Sequence, residues 1–333
     1  MVEIYGTLGP SCNKEETLRK MFEKGMTGVR LNLSHSFIYE NINLIESVKK
    51  AALHAGTEPK LLIDLQGPEL RIGALGKELL LSEGDEFILG ENGVPLEEII
   101  LSKLEKDMII LLDDGKIQAH IMSNDGRTAK AIVDRGGLLR SRKSILIKDY
   151  EIEKDALTEA DIENIRCAVD IGITGIMQPF VRGKEDILSL KNTLQKEGGS
   201  SIEIYAKIEN MRGINKLDEI MEESDEIIIA RGDLGNAVPL WELPGVQKNI
   251  AEKCCRCNKR FMVVTQMLTS MEKNPVPTRA EVSDIFNAVL DGATSVMVTG
   301  ETAVGNYPVE VINIMKKTVE SAGEYQNNNR GLC

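Results

Sequence analysis

The amino-acid sequence predicts an α/β fold: a closed (β/α)8 barrel with a small β-barrel-like domain inserted after its third strand. Three observations lead there. Short apolar runs rich in β-branched residues alternate with amphipathic, helix-like stretches. The alternation gives eight strand candidates, the number a parallel barrel needs. One connection, of about 80 residues, is too long for an ordinary barrel loop and switches to a hairpin rhythm.

The strand candidates are 2–8, 27–32, 60–65, 173–177, 202–207, 226–230, 261–265 and 294–298. Helix-like segments at 14–24, 39–55, 158–171, 213–222, 244–258 and 280–291 lie between them. An open, doubly wound sheet would give the same alternation, so strand count alone leaves it open. Between the third strand and residue 150, turn signals at Gly84-Asp85, Asp114-Gly115 and Asp125-Gly126 punctuate β-rich runs. The expected division is therefore a discontinuous barrel over 1–66 and 150–323, a β domain over 67–149, and a loosely attached polar tail over 324–333.

Bulk properties narrow the function. The 333 residues are 42% apolar and 28% charged, an ordinary globular composition, and 4% aromatic, so the core must be largely aliphatic. A net charge of −12 argues against nucleic acid or an anionic membrane as a partner, since both reward positive fields. Met1 runs straight into a strand-like segment and no apolar run reaches the length of a membrane span, so a cytoplasmic protein is expected. The cysteines at 254, 255 and 257 lack a CxxC pair and a nearby His, which favours reduced structural thiols.

Polar residues at the C-terminal ends of barrel strands face the active site of such folds. Collected in order they are Arg30, Asn32, Ser34 and His35, then Asp64 through Arg71, then Lys207 and Glu209, Gly232 and Asp233, Thr265, and Thr299. Glu209 and Asp233, on adjacent strands and without Cys or His company, suit a hard divalent ion such as Mg²⁺ or Mn²⁺. Lys207 shares a strand face with Glu209, and Arg30, Arg71 and Lys207 would supply three cations around a phosphate. A metal with converging cations is the electrostatic plan of phosphoryl transfer. Any one of these residues alone is more often a solvated loop residue or an ion pair; the set carries the argument. No P-loop and no GxGxxG is present.

The motifs resemble those of pyruvate kinases along nearly the whole chain. They are TLGPSC (7–12), GMTGVRLNLSH (25–35), LIDLQGPELRIG (62–73), GGLLRSRK (136–143), YAKIEN (205–210), ARGDLG (230–235), VVTQMLTSM (263–271), NPVPTRAEVSDIFNAVLDGATSVM (274–297) and TGETAVGNYPVE (299–310). The resemblance implies a TIM barrel with a lid-like inserted domain, acting on phosphoenolpyruvate and ADP to give pyruvate and ATP. It implies that Glu209 and Asp233 hold Mg²⁺, and that Lys207 stabilises the transferring phosphoryl group and the enolate. Arg30, Lys207, Gly232, Asp233 and Thr265 would contact substrate. Thr299 stands where the family usually has Ser, in the network that protonates the enolate. Asn32, Ser34, Asp64 and the carbonyl of Leu65 would hold K⁺, whose need is signalled by Glu69 after Gly-Pro. Pro10, Asn32, His35 and Arg71 would line the nucleotide site.

The resemblance also marks departures. The family's C-terminal domain has no counterpart here, so no sugar-phosphate allostery and a homodimer through the barrel are expected. Pro179 replaces a usual serine, Ala237 a usual glutamate, and Ser36 a usual glycine. These changes keep a second activity in view: a barrel phosphotransferase or lyase acting on another enol phosphate or 2-oxo acid.

Overall fold

The computed structural model describes residues 2–34, 36–148, 150 and 152–329. The chain divides into two compact units, one of residues 1–67 with 156–333 and one of residues 68–155.

In chain order the strands are β1 (Glu3–Thr7), β2 (Gly28–Asn32), β3 (Lys60–Asp64), β4 (Leu79–Leu81), β5 (Glu86–Gly90), β6 (Ile109–Leu112), β7 (Ile117–Asn124), β8 (Thr128–Arg135), β9 (Gly137–Leu139), β10 (Ile145–Ile147), β11 (Gly175–Gln178), β12 (Glu203–Ile208), β13 (Glu226–Ala230), β14 (Arg260–Val264) and β15 (Ser295–Val298). The first unit is a closed parallel barrel of eight of these, in the order β1-β15-β14-β13-β12-β11-β3-β2, so the open-sheet alternative is excluded. Every neighbour pair is parallel, and closure comes from Glu3–Gly6 of β1 pairing with Ser295–Val298 of β15.

Alternation along the strands explains why closure is stable. Ile4, Val29, Ile63, Ile176, Ile204, Ile227, Val263 and Val296 point outward into one large apolar layer. Tyr5, Leu62, Met177, Tyr205, Ile228, Met262 and Met297 point inward and fill the lumen. Large and small residues alternate around it. A Cβ at Gly28 would collide with the Tyr5 ring, and one at Gly175 with the Tyr205 ring. Glycine at these positions is therefore a packing requirement.

Helices cover the outer layer: α1 (Glu15–Glu23), α2 (Ile42–His54), α3 (Glu159–Ile171), α4 (Lys184–Lys196), α5 (Leu217–Glu223), α6 (Leu243–Arg256), α7 (Arg279–Leu290) and α8 (Pro308–Asn329). Capping boxes start α3 (Thr158 with Asp161) and α7 (Thr278 with Glu281). The polar stretch from 324 differs from the expected loose tail: through Asn329 it continues α8. Gln326 Nε2 donates to the carbonyls of Val289 and Leu290 at 3.2 and 3.3 Å, and the Tyr325 ring packs edge-on against Phe286. These contacts tie the last turns to α7. Residues 330–333 lie outside the described set.

The second unit has its own core, with Leu89, Ile110, Leu112, Ala119, Ile121 and Ala131 among its buried residues. It contains a five-stranded antiparallel sheet, β10-β6-β7-β8-β5, and a β4-β9 pair. Asp113 and Asp114, both with positive φ, and Gly115 form the β6–β7 turn, as the Asp-Gly signal there requires. Among the described residues, no helix is long and apolar enough to cross a membrane.

Candidate active site

The C-terminal mouth of the barrel gathers most of the expected residues. Asp64, the last residue of β3, is 2% exposed and sits at the centre. Arg30 of β2 donates to its Oδ2 from Nη2 at 2.6 Å and from Nε at 2.9 Å. Lys207 of β12 approaches both Asp64 oxygens, at 3.3 and 3.4 Å, and lies 2.9 Å from Glu209 Oε1. Arg30 Nη1 also donates to Thr7 Oγ1 at 3.3 Å. Four charges from three strands are thus locked together where little water reaches.

Burial by itself would raise the Asp64 carboxyl, but Lys207 and Arg30 outweigh it and hold the group below the usual carboxylate range. For Lys207, burial favours the neutral amine; Asp64 and Glu209 overcome this and keep the ammonium charged. Glu209 goes the other way. Burial raises its carboxyl, Lys207 opposes, and the neighbouring charges of Asp233 and Asp64 push it up further.

Glu209 is 3% exposed, and its Oε2 accepts the Phe180 backbone N–H at 2.8 Å. Among the described residues the Lys207 ammonium, shared with Asp64, is the group beside its buried Oε1. An electron-rich oxygen with an unused lone pair, pushed up by a second carboxylate, is what a hard cation would satisfy. Asp233, half-buried in the short helix Arg231–Ala237, supplies that second charge. Among the described residues no group of three or more His, Cys, Asp or Glu is arranged to hold a metal. Two carboxylates fit an ion that keeps several positions for water and substrate oxygens, as Mg²⁺ does.

Along the same rim, Thr265 follows β14 in a left-handed conformation, φ 67°, and Gln266 follows at φ 53°. Its hydroxyl accepts the Gly232 N–H at 2.9 Å. Thr299, after β15, donates its N–H to Glu301 Oε2 at 2.7 Å, and its hydroxyl reaches the same oxygen at 3.3 Å. Asn32 and Ser34 bond to each other: the Ser34 hydroxyl donates to Asn32 Oδ1 at 2.8 Å. Leu65 is buried and its N–H donates to the Met177 carbonyl at 3.1 Å. Pro10 is exposed and opens the turn after β1. Arg71 belongs to the second unit, where Nη1 donates to the Arg142 carbonyl at 2.9 Å and Nη2 pairs with Glu69. His35 lies outside the described residues.

Several contributors carried no sequence signal that strand-end counting detects. Phe180 serves Glu209 through its backbone, with φ 53°. Glu301 is buried and also accepts the Leu268 N–H at 3.0 Å. Asp161, fully buried, accepts the N–H groups of Gln66, Gly67 and Thr158 and so anchors the turn after β3. Only the last was findable, from the Thr-x-x-Asp capping spacing.

Known proteins resemble this chain along nearly its whole length. The family described as pyruvate kinase, barrel domain, matches residues 1–312. The chain is 36% identical over 339 residues to a pyruvate kinase of Sporosarcina psychrophila, covering 98% of this chain and 58% of that protein. It is 34% identical to one from Bacillus licheniformis, covering 99% and 58%, and 36% identical to one from Thermococcus litoralis, covering 97% and 70%. The chain thus spans 58% of the length of the first two of these relatives.

Proposed function

This chain belongs to the pyruvate kinase family, and on that premise we propose that it transfers the phosphoryl group of phosphoenolpyruvate to ADP, giving pyruvate and ATP. The observation that carries the proposal is the Lys207 ammonium, buried at the barrel mouth between Asp64 and Glu209 with Arg30 beside it. This arrangement, at the end of the barrel where strand ends face substrate, suits charge that spreads over phosphoryl oxygens and an enolate.

In this reading Arg30 and Lys207 bind the phosphoryl oxygens, and Lys207 neutralises the enolate as the bond from phosphorus to the enol oxygen breaks. A terminal oxygen of ADP forms the new bond to phosphorus. The enolate takes a proton at its methylene carbon from the side lined by Thr265 and Thr299. Gly232, Asp233 and Thr265 orient the substrate. Glu209 and Asp233 would hold Mg²⁺ or Mn²⁺, which when bound offsets phosphate charge and orders the reacting oxygens. Asn32, Ser34, Asp64 and the Leu65 carbonyl are assigned to K⁺. Pro10, Asn32, His35 and Arg71 are assigned to the nucleotide. A homodimer through the barrel, in the cytoplasm, belongs to the same reading; the exposed Leu240 and Trp241 support an apolar contact.

The test is pyruvate formation from phosphoenolpyruvate and ADP in Mg²⁺, with K⁺ or Na⁺ as the monovalent ion. Turnover that rises with K⁺ is expected. Equal turnover in the two salts would remove the K⁺ assignment. No turnover from folded protein would remove the reaction, and other enol phosphates and 2-oxo acids would be tried next.

A further inference from the structure

Behind the mouth of the barrel, a second buried charge has no place in the roles assigned above. Arg231 is 9% exposed and is the residue directly before Gly232 and Asp233. Its guanidinium uses nearly every donor. Nη1 donates to both oxygens of Asp284 on α7, at 2.7 and 2.9 Å, and lies 3.4 Å from Gln247 Oε1. Nη2 donates to the Thr265 carbonyl at 2.5 Å and contacts Met267 Sδ at 2.9 Å. Nε reaches the Val264 carbonyl at 3.3 Å.

The target of these bonds is strained. Thr265 is β-branched and sits at φ 67°, and Gln266 follows at φ 53°. A β-branched residue there is an outlier, and it persists only where surrounding contacts over-determine it. Arg231 supplies such contacts from one side. Three residues on, Glu301 accepts the Leu268 N–H at 3.0 Å. The conformation has a consequence for the hydroxyl. Gly232 N–H donates to Thr265 Oγ1 at 2.9 Å, so one lone pair is occupied and the O–H hydrogen is left to donate.

We propose that Arg231 and Asp284 are a positioning pair, which holds the Thr265 backbone in its left-handed form so that the hydroxyl is presented as a donor to the reacting atoms. The proposal rests on the phosphoryl-transfer reading for its kinetic consequence and on the geometry alone for its structural one. Asp284 sets the plane of the guanidinium, and the guanidinium sets the Thr265 carbonyl. Lysine cannot substitute, because one ammonium cannot reach a carboxylate and two carbonyls in the same fork.

The experiment compares Arg231→Lys, Asp284→Asn, Asp284→Glu, Thr265→Ala and the Arg231→Lys/Thr265→Ala double variant. Each is followed by kcat, by KM for phosphoenolpyruvate and by thermal unfolding. The Thr265 methyl resonance is followed in threonine-labelled protein, assigned by its loss in Thr265→Ala. Arg231→Lys and Asp284→Asn are each expected to lower kcat about 100-fold, the scale of a misplacement near 1 Å, with KM changed less than about threefold. Asp284→Glu, which keeps the carboxylate, retains most of the activity. The double variant falls no further than Thr265→Ala alone, and the methyl resonance moves in both Arg231→Lys and Asp284→Asn. Multiplicative losses in the double variant, or an unmoved resonance in a folded Arg231→Lys protein, overturn the proposal. A wild-type chain without turnover removes the phosphoryl-transfer reading instead, and the methyl resonance alone then decides the clamp.

Discussion

The two ends of the barrel both carry clustered charge, yet they are built differently. At the N-terminal end the first residues of five strands form a ladder: Glu3, Lys60, Glu203, Glu226 and Arg260. Lys60 lies 3.0 Å from Glu3 and 3.6 Å from Glu203; Arg260 lies 2.6 Å from Glu203 and 3.6 Å from Glu226. Tyr5 and Tyr205 donate from above to Glu3 and Glu203, and Ser295 donates to Glu226. Each carboxylate there has a donor aimed at it. At the C-terminal end Lys207 is shared between Asp64 and Glu209, and the flanking backbone at Phe180, Thr265 and Gln266 is held in left-handed conformations. Charge clustering alone therefore does not mark a site. Two buried carboxylates beside one ammonium, with strained backbone, at the end where loops can bring in substrate, do.

This contrast can be broken in order of effect. Lys207→Met should lower kcat by about 1,000-fold, near 4 kcal/mol of barrier, measured by pyruvate formation. Its unfolding midpoint should fall as well, because loss of the ammonium leaves the buried Asp64 and Glu209 carboxylates less compensated, so kcat is read on protein shown to be folded. Equal activity would place the chemistry elsewhere. Glu209→Gln should weaken Mn²⁺ binding at least about tenfold, as read by electron paramagnetic resonance of free Mn²⁺. Unchanged binding would remove Glu209 from the metal assignment.

The N-terminal end should respond in stability and not in rate. Burial pushes the Glu226 carboxyl up to about 7, with Ser295 and Arg260 opposing and Glu3 adding. Its folded pKa lies above its unfolded value, so the native state holds the extra proton between about pH 4.5 and 7. Stability from this group is greatest below that window and falls as pH rises through it, by about 3 kcal/mol in total. Glu226→Gln should flatten that slope in denaturant titrations at pH 5 and 7.5, with kcat unchanged. An undiminished slope would mean that Glu226 is not the titrating group. Arg260→Met should cost about 1–2 kcal/mol, discounted because the side chain is 35% exposed, again with kcat preserved.

Much of this was legible in the sequence because the barrel writes itself in period two. Arg30 with Asn32, and Lys207 with Glu209, are spaced to share a strand face; pairing of β2 with β3 sets Arg30 beside Asp64, and Lys207 reaches Asp64 from β12, two strands along with β11 between. What stayed hidden depends on backbone direction or on side chains meeting across long separations. Nothing in the string Gln178-Pro179-Phe180 says that the Phe180 N–H will turn onto Glu209, or that Pro179 will pack on Gly67. Arg231 and Asp284 are 53 positions apart and meet only in the folded chain, Arg231 just past the end of β13 and Asp284 on α7. The helix through Asn329 was missed because its polar residues read as tail, while its anchor is a glutamine bonding to the end of α7.

The central claim is that chemistry resides at the C-terminal mouth and structure at the opposite end. The direct test is pyruvate formation from phosphoenolpyruvate and ADP by the wild-type chain, Lys207→Met and Arg260→Met, assayed side by side with Mg²⁺ and K⁺. The account predicts turnover in the wild type, its loss in Lys207→Met, and near-parental kcat in a less stable Arg260→Met. Retained turnover in Lys207→Met, or a collapse of kcat in folded Arg260→Met, would contradict it.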